Sequence, residues 1–355
     1  MATRPSNAQA RLFANLIAEL EPQVQRGFMA SVTDLQANVD WRSLLLALER
    51  GDIYGAITAL NISTEAWAEY SAAVTGAYAK SGAATAAQIS AQGIAGVGIR
   101  FQMSNPAAQA WIAKNVGEAI TGFTLELQKS ARQLIEAGYA AGSGPRTIAL
   151  DLVGRSVAGG ARGGGIMGLD APRAERLQIV TNAMRTPEGV RGLVVKGEDG
   201  KFRLRYKVNP ATEQRILKAY QAGTEVPLAE RLISERQYSN ALLKARADTV
   251  AATETGSAVM SARQQQWAQL ANANGLDERA VVKTWQHRRG AGKYFRPTHL
   301  AMNGESVQGL FTPFVLADGS VMQHARDTAG GAKNIINCGC DTTYSLNRAY
   351  GGALV

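Results

Sequence analysis

The side chains best suited to chemistry lie close to the C-terminus. All three histidines, His287, His299 and His324, and both cysteines, Cys338 and Cys340, fall within this stretch. If the cysteines lie on a strand, their side chains project to one face, and a metal could be shared with His299 and one of His287 or His324. Such ligands suit zinc, although structural zinc sites commonly place two to four residues between paired cysteines. The alternative is that these side chains simply pack and hydrogen-bond within a small domain.

Nucleophilic catalysis is the other chemistry that these residues could support. A Cys338 thiolate activated by His299 or His324 would need an ion pair and a nearby oxyanion hole, and the sequence shows neither directly. We therefore predict no catalytic residue and expect a protein that is not an enzyme. Two cysteines one residue apart are also poorly placed for a disulfide, so they are interpreted as thiols of a reducing cytoplasm.

The elements that precede this region are predicted to be mostly helical. Phe13, Leu16, Ile17 and Leu20 recur at the spacing of one helix face, and Pro22 is expected to end or kink that helix. Both the N-terminal and the central parts of the chain repeat this periodicity.

Further helices follow downstream. A second amphipathic helix is predicted from Trp41, with Asp40 as its cap, and residues 64–99 favour one long helix or a close pair. Asn105 and the following proline indicate another start, and Gly138 its end. Helical periodicity returns from residue 212 to residue 287, broken near residues 224–227 and 272–275. Short strands and turns close the chain, with a hairpin turn predicted at Asp318 and Gly319.

A glycine-rich segment at residues 158–171 separates two of these helical regions. Its core, AGGARGGGIMG, lacks the Gly-Lys-Ser/Thr ending of a phosphate-binding loop and follows no clear strand. We interpret it as a flexible linker.

Positive charge is concentrated in the middle of the chain. The net charge is +9, and residues 144–220 alone carry 14 basic and 7 acidic side chains. Within this block, residues 193–208 have the pattern of a β-hairpin whose second arm alternates apolar residues with cations. Cations on one face of a strand could contact phosphates without regard to base sequence, or could form a solvated face. The four candidate DNA-binding residues are Lys201, Arg203, Arg205 and Lys207.

The C-terminal residues also resemble a known family. FRPTHLAMNG at residues 295–304, NCGC at residues 337–340 and Tyr344 together resemble the C-terminal module of the Mu F-like phage head morphogenesis proteins. Gly339 stands where the family has Arg, and the family's proline shortly before the closing motif is missing. Upstream segments at residues 101–115, 138–155 and 245–263 extend the resemblance to roughly residues 100–345. The family-motif positions are Trp285, Arg296, His299, Gly304, Asn337, Cys338 and Cys340.

This resemblance implies a minor head protein of a tailed phage. Such a protein would associate with the portal protein, contact capsid or scaffolding proteins, and assist packaging or delivery of the genome with sequence-independent DNA contact. It would be found inside the head near the portal vertex, and in the host cytoplasm during assembly. The alternative is a zinc-binding or thiol-dependent enzyme module carried by a phage protein. Zinc on His299, Cys338 and Cys340 is the one cofactor suggested.

The expected fold class is α+β, with helical N-terminal and central regions and a small mixed α/β C-terminal module. The predicted regions are residues 1–100, helical; 101–157, a helical segment; 158–171, the linker; 172–275, basic with a hairpin; and 276–355, the Mu F-like module. The sequence contains no run of eighteen apolar residues, and its N-terminus has no apolar signal region, so neither a membrane span nor an export signal is expected.

Overall fold

The computed structural model describes residues 7–92, 94, 100–157, 162–287, 295–347 and 350. The fold is α+β as predicted, with helices through the N-terminal and central regions and small antiparallel sheets in the C-terminal module. The helices are α1 (Asn7–Ala37), α2 (Trp41–Glu49), α3 (Ile53–Ala59), α4 (Ala68–Ala91), α5 (Pro106–Ala140), α6 (Pro145–Val153), α7 (Ala171–Ala183), α8 (Pro187–Leu193), α9 (Pro210–Ala222), α10 (Leu228–Asn274), α11 (Pro297–Ala301) and α12 (Ala332–Ile335). The strands are β1 (Arg155–Ser156), β2 (Arg162–Gly163), β3 (Val194–Lys196), β4 (Phe202–Leu204), β5 (Val281–Gln286), β6 (Ser306–Gln308), β7 (Phe314–Val315), β8 (Val321–Met322) and β9 (Asp341–Leu346).

The chain forms two compact units, each assembled from separate stretches of sequence. Unit 1 comprises Met1–Phe28, Glu69–Glu118 and Asp248–Val355, and unit 2 comprises Met29–Ala68 and Ala119–Ala247. The predicted regions instead follow one another along the chain. Local periodicity cannot reveal which distant helices pack together, so this division differs from the one observed.

The first helix of the chain continues past its proline. Pro22 was expected to end or kink α1, yet the helix continues to Ala37 with Pro22 inside it. A proline in a helix interior removes one backbone hydrogen bond. Leu20 and Val24 on either side of it are buried, so packing of this segment outweighs the lost bond.

Two predicted helix starts have the expected caps. The Asp40 carboxylate accepts a hydrogen bond from Ser43 N at the start of α2. Asn105 Oδ1 accepts from Ala107 N at 3.0 Å, where α5 begins with its proline. Each interaction satisfies a backbone N–H that has no partner within the helix itself.

The glycine-rich segment is packed rather than exposed in its described part. Residues 158–161 lie outside the described residues, but residues 163–169 are buried. Ser239 Oγ, on α10, donates a 2.6 Å hydrogen bond to Gly165 O. An added Cβ at Gly165 would lie 2.5 Å from Gly154 N, so close backbone approach explains this glycine. This part of the predicted linker therefore belongs to the core of unit 2.

The basic hairpin is present, but its strands are short. β3 pairs antiparallel with β4, with Val195 opposite Arg203. The second strand ends at Leu204, although burial continues to alternate between exposed and half-buried residues up to residue 208. Phe202 departs from this pattern because it is exposed and lies against the Tyr220 ring, with centroids 5.2 Å apart.

The C-terminal module, in unit 1, is built on a three-stranded antiparallel sheet with the order β6-β5-β9. The expectation that helices continue to residue 287 was wrong, because residues 281–286 form the central strand β5. Its sequence VVKTWQ is rich in β-branched and aromatic residues, which favour a strand. Trp285 pairs with Thr342 on β9, and Thr284 pairs with Ser306 on β6.

A second hairpin completes the module. β7 and β8 pair antiparallel on either side of the predicted Asp318-Gly319 turn, with Phe314 opposite Met322. Gly319 has a φ of 78°, which glycine adopts without steric cost.

None of the helices in the described part of the chain combines the length and the apolar composition needed to span a membrane.

Candidate metal centre

Two segments of the C-terminal module bring the predicted ligands together. His299 lies on α11, which begins with Pro297, and both cysteines lie between α12 and β9. A shared strand face was the arrangement considered for the cysteines in the sequence, but neither is on a strand. A turn, rather than a pleat, therefore directs the two sulfurs to one place.

The ligand atoms of His299, Cys338 and Cys340 form a tight group. His299 Nδ1 lies 3.5 Å from each of the two Sγ atoms. All three ligand atoms lie within 4.8 Å of one another, and the three residues are 1%, 4% and 3% exposed, respectively. The structure thus contains a possible metal-binding site formed by these residues.

The other two histidines occupy different environments. His287 follows β5, and its Nδ1 lies 3.4 Å from Cys340 Sγ, at the edge of the cluster. His324 instead contacts Ser261 Oγ at 3.2 Å and Ala325 O at 2.9 Å. Of the two candidates for a fourth ligand, the geometry therefore favours His287.

The protonation of His299 is set by a hydrogen bond on the far side of its ring. His299 Nε2 lies 3.1 Å from Asn334 Oδ1. Asn334 Nδ2 donates to Ser320 Oγ at 2.9 Å and to Gly330 O at 3.1 Å, which fixes the amide orientation. Since Asn334 Oδ1 can only accept, His299 Nε2 carries the hydrogen and Nδ1 presents a lone pair to the two sulfurs. An imidazole ligand of a metal needs this same arrangement.

The turn that carries the cysteines depends on Asn337. This residue has a φ of 52°, a left-handed conformation that asparagine tolerates better than most residues. Its backbone N–H donates to Thr253 Oγ1 at 3.1 Å, which ties the turn to α10. Cys340 N then lies 3.5 Å from Cys338 Sγ, so the backbone folds back onto the first sulfur.

The environment of the sulfurs favours one thiolate. A hydrogen bond from Cys340, together with the charge of Arg326, lowers the pKa of Cys338. Sharing the proton with Cys338, together with burial, raises the pKa of Cys340. Arg326 also donates from Nε to Cys340 O at 3.0 Å. The Cys338–Cys340 pair therefore favours a state with one negative charge, on Cys338.

An aromatic wall closes one side of the group. Trp285 lies edge-on to His299 with ring centroids 5.3 Å apart, and edge-on to Phe314 at 5.4 Å. These rings belong to a hydrophobic cluster that includes both cysteines and Met322. A dry environment of this kind strengthens bonds between a metal and its ligands.

Two further family-motif positions hold the backbone around the cluster. Arg296 donates from Nε to Lys333 O and from Nη2 to Ile336 O, both at 2.7 Å, and so fixes the segment that leads to the cysteines. Gly304, with a φ of 87°, donates its N–H to Trp285 O at 2.8 Å. The motif thus combines three candidate ligands with residues that position them.

These distances suit a tetrahedral zinc ion. Bonds of about 2.3 Å to sulfur and about 2.0–2.1 Å to nitrogen, at tetrahedral angles, separate a sulfur from a nitrogen by about 3.5 Å. The two His299 separations are 3.5 Å, and that from His287 to Cys340 is 3.4 Å. Two sulfurs with one or two imidazoles form a soft donor set. Such a set binds zinc in preference to magnesium or calcium.

The predicted DNA-binding residues belong to unit 2, whereas the cluster belongs to unit 1. All four cations are exposed. Arg203 pairs with Asp199 at 2.6 Å, and Arg205 donates from Nε to Gly192 O at 2.9 Å. These local contacts hold two of the four side chains along the hairpin and leave their charges at the surface.

Three contributors to the centre were missed in the sequence. Asn334 and Arg326 act through single contacts with no characteristic spacing, so no pattern could have identified them. Gly256 lies where an added Cβ would collide with the Arg326 guanidinium. Its place within the ATETGSAV run was the one available signal, because an isolated glycine inside a helix often marks close packing.

The chain matches no family model, no curated protein and no solved structure.

Proposed function

We propose that this chain is a minor head protein of a tailed phage, with a C-terminal module organised around a structural zinc ion. The observation that carries the proposal is the convergence of the family-motif positions on one buried centre. His299, Cys338 and Cys340 supply ligands, while Arg296 and Asn337 hold the backbone that presents them. Motif residues that meet at one site support the proposed function more strongly than sequence resemblance alone.

Zinc would act as a cross-link in this small module. It would join α11 to the turn before β9, and His287 would add the end of β5 as a fourth attachment. The module has only short strands, so a metal that joins two or three separate segments would contribute substantially to its folding free energy.

Burial argues for a structural rather than a catalytic role. A nucleophilic thiolate must reach its substrate, yet both cysteines and His299 are almost entirely enclosed. The thiolate character of Cys338 is equally explained by readiness for metal. A thiol-dependent enzyme is therefore the less favoured alternative.

The basic hairpin is the proposed contact with DNA or with an acidic assembly partner. Lys201, Arg203, Arg205 and Lys207 are exposed along one short ribbon of unit 2. Contacts from such groups to phosphates are independent of base sequence and weaken steeply as salt rises. This behaviour suits a protein that meets the genome at many positions.

The role in head assembly is tested in particles of the phage that encodes the chain. Antibody detection should find the polypeptide in mature heads and in procapsids, and it should co-purify with the portal protein of the same genome. Its absence from both kinds of particle would refute the assembly role.

Metal binding is tested separately on purified protein. Elemental analysis under reducing conditions should give about one zinc per chain. Cys338→Ser and His299→Ala should abolish stoichiometric metal, whereas Lys333→Gln, a change at an exposed neighbouring position, should not. Metal-free wild-type protein whose melting does not respond to added zinc would refute the zinc centre and leave the assembly test unaffected.

DNA contact is tested by neutralising the hairpin. The double variant Lys201→Gln/Lys207→Gln should weaken retention of double-stranded DNA and reduce the salt slope by about 2, one for each lost phosphate contact. The matched control is Lys80→Gln/Lys114→Gln, which removes the same charge from unit 1. Equal effects of the two variants would indicate a general effect of net charge instead of a contact surface.

A further inference from the structure

Unit 2 contains a polar cavity that has no part in the proposed metal centre. It lies among α5, α6, α7 and α10 and has a volume of about 50 Å³. One side is apolar, with Leu134, Ala137 and Ile148. Gly138 allows α5 to approach α6 closely, since an added Cβ there would lie 2.7 Å from Ile148 Cγ1. The cavity is therefore bounded by closely packed helices.

The opposite wall is a polar stripe of α7 and its C-terminal end. Gln178, Thr181, Asn182 and Arg185 all line the cavity. Their spacing of i, i+3, i+4 and i+7 places them on a single helix face. Thr181 is buried, Gln178 and Arg185 are half-buried, and Asn182 is exposed at the edge. Polar groups on the buried part of this face need partners.

Two hydrogen-bond donors of this stripe are buried without a partner among the described residues. The Thr181 hydroxyl makes no hydrogen bond, although Thr181 is only 7% exposed. The Nε–H of Arg185 is likewise buried and unpaired. Leaving such a donor unsatisfied costs about 1–3 kcal/mol, which favours a bound acceptor in the space that both residues line.

A carboxyl pair faces this stripe. Asp151 on α6 and Glu235 on α10 both line the cavity, and a hydrogen bond joins their side chains. Burial, followed by the charge of Asp151, raises the pKa of Glu235 to about 7. Arg155 pairs with Asp151 at 3.2 Å, which balances the ionised member. Below neutral pH the pair holds one proton, which Glu235 donates to Asp151.

We propose that this cavity binds a small carboxylate anion through Arg185 and Thr181. A cavity of this size accommodates about three to five water-sized groups, which corresponds to formate or acetate and excludes an aromatic acid. The Arg185 Nε–H and the Thr181 hydroxyl supply a charged and a neutral donor, one for each carboxylate oxygen.

The local charge also favours an anion over a cation. The charged groups that act on Glu235 are Asp151, Arg155 and Arg185. With Glu235 protonated, one negative and two positive charges leave a net charge of +1. Ionisation of Glu235 removes this excess and adds a second carboxylate that repels the ligand.

The proposal is tested by titrating the full chain with formate and acetate. Binding is followed by NMR chemical shifts of unit 2 amides, with sodium chloride at the same ionic strength as the blank. At pH 6 the wild type should show saturable binding at one site, and benzoate should not bind. Thr181→Val and Arg185→Met should each weaken acetate binding by about tenfold or more, since each removes one hydrogen bond to a charged ligand.

A third variant separates binding from a merely structural role. In the wild type the affinity should fall as pH rises above 7, by up to tenfold per pH unit, because binding needs the proton on Glu235. Glu235→Gln keeps this side chain neutral at every pH and can still donate to Asp151, so its acetate affinity should remain nearly constant from pH 6 to pH 8. The proposal is overturned if the shifts do not saturate, if chloride reproduces them, or if Glu235→Gln keeps the wild-type pH dependence.

Discussion

The hydrogen bond between His299 and Asn334 gives the sharpest test of the proposed zinc centre. Asn334 touches neither sulfur, and it acts only by holding the hydrogen on His299 Nε2. Replacing it with leucine keeps the volume and removes the acceptor. The ring then gains access to the tautomer with hydrogen on Nδ1, which cannot bind a metal through that atom.

The size of the effect follows from the position of Asn334 behind the ligand. Loss of a partner that orients a metal-bound histidine typically lowers metal affinity by about 10- to 100-fold. This range corresponds to about 1.4–2.7 kcal/mol of binding free energy. Asn334→Leu should therefore bind zinc at least about tenfold more weakly than the wild type.

A second variant distinguishes loss of the acceptor from loss of packing. Asn334→Asp keeps an oxygen for His299 Nε2–H but replaces the amide that donates to Ser320 and Gly330. It should unfold more readily than the wild type, since a carboxylate oxygen would face Gly330 O, yet keep zinc affinity well above that of Asn334→Leu. Lys333→Gln is the neutral control, because Lys333 is an exposed neighbour whose side chain pairs with Asp318.

The assay is competition between the protein and a chelator of known affinity under reducing conditions, with circular dichroism confirming that each variant is folded. Nitrogen NMR of metal-free protein should show His299 protonated on Nε2 in the wild type and in Asn334→Asp. The reasoning is refuted if Asn334→Leu binds zinc within about twofold of the wild type, or if the two Asn334 variants lose the same affinity.

Three further predictions concern the remainder of unit 1. Arg263→Leu should lower the free energy of unfolding by about 3–5 kcal/mol, because the buried Asp341 carboxylate loses its partner. Adding Asp341→Leu to the same chain should restore most of the loss. A loss below about 1 kcal/mol in denaturant titrations would contradict this prediction. Burial lowers the pKa of Lys283 to about 7 from its usual 10.5. Between these two pH values the unfolded chain binds more protons than the folded chain. The free energy of unfolding should therefore rise with pH across that window, by up to about 1.4 kcal/mol per pH unit. Lys283→Met should remove this contribution, and identical pH slopes for the two proteins would count against it. Gly256→Ala should destabilise the fold by about 1–3 kcal/mol, seen as a lower denaturation midpoint, because its Cβ meets Arg326, and an unchanged midpoint would show that Arg326 simply moves away.

Local chemistry was predictable from the sequence, whereas long-range assembly was not. Asp40 and Asn105 were identified as caps because a side-chain oxygen near a helix start has one dominant partner. The Asp318-Gly319 turn followed from glycine's tolerance of positive φ. Pro22 was misjudged because the packing that keeps α1 intact is supplied by residues far away in sequence.

In the candidate centre, too, local features were predictable from the sequence and long-range contacts were not. The ligand types and their region were predictable, because the chain has so few cysteines and histidines. The choice between His287 and His324 was not, since it depends on which of them reaches Cys340 after β5 pairs with β9. Asn334 could not be foreseen either, because an asparagine on a short helix has many equally ordinary roles.

The single residue between the two cysteines counted against zinc in the sequence, but the structure removes much of that objection. The usual longer spacing lets a loop turn back so that both sulfurs face one ion. Here the left-handed Asn337 makes the turn before the first cysteine, and Cys340 N folds back towards Cys338 Sγ at 3.5 Å. The remaining ligand comes from α11, so the two cysteines need to supply only one edge of the tetrahedron. A short spacing is sufficient for one edge, and this explains how an unusual motif can still form a compact site.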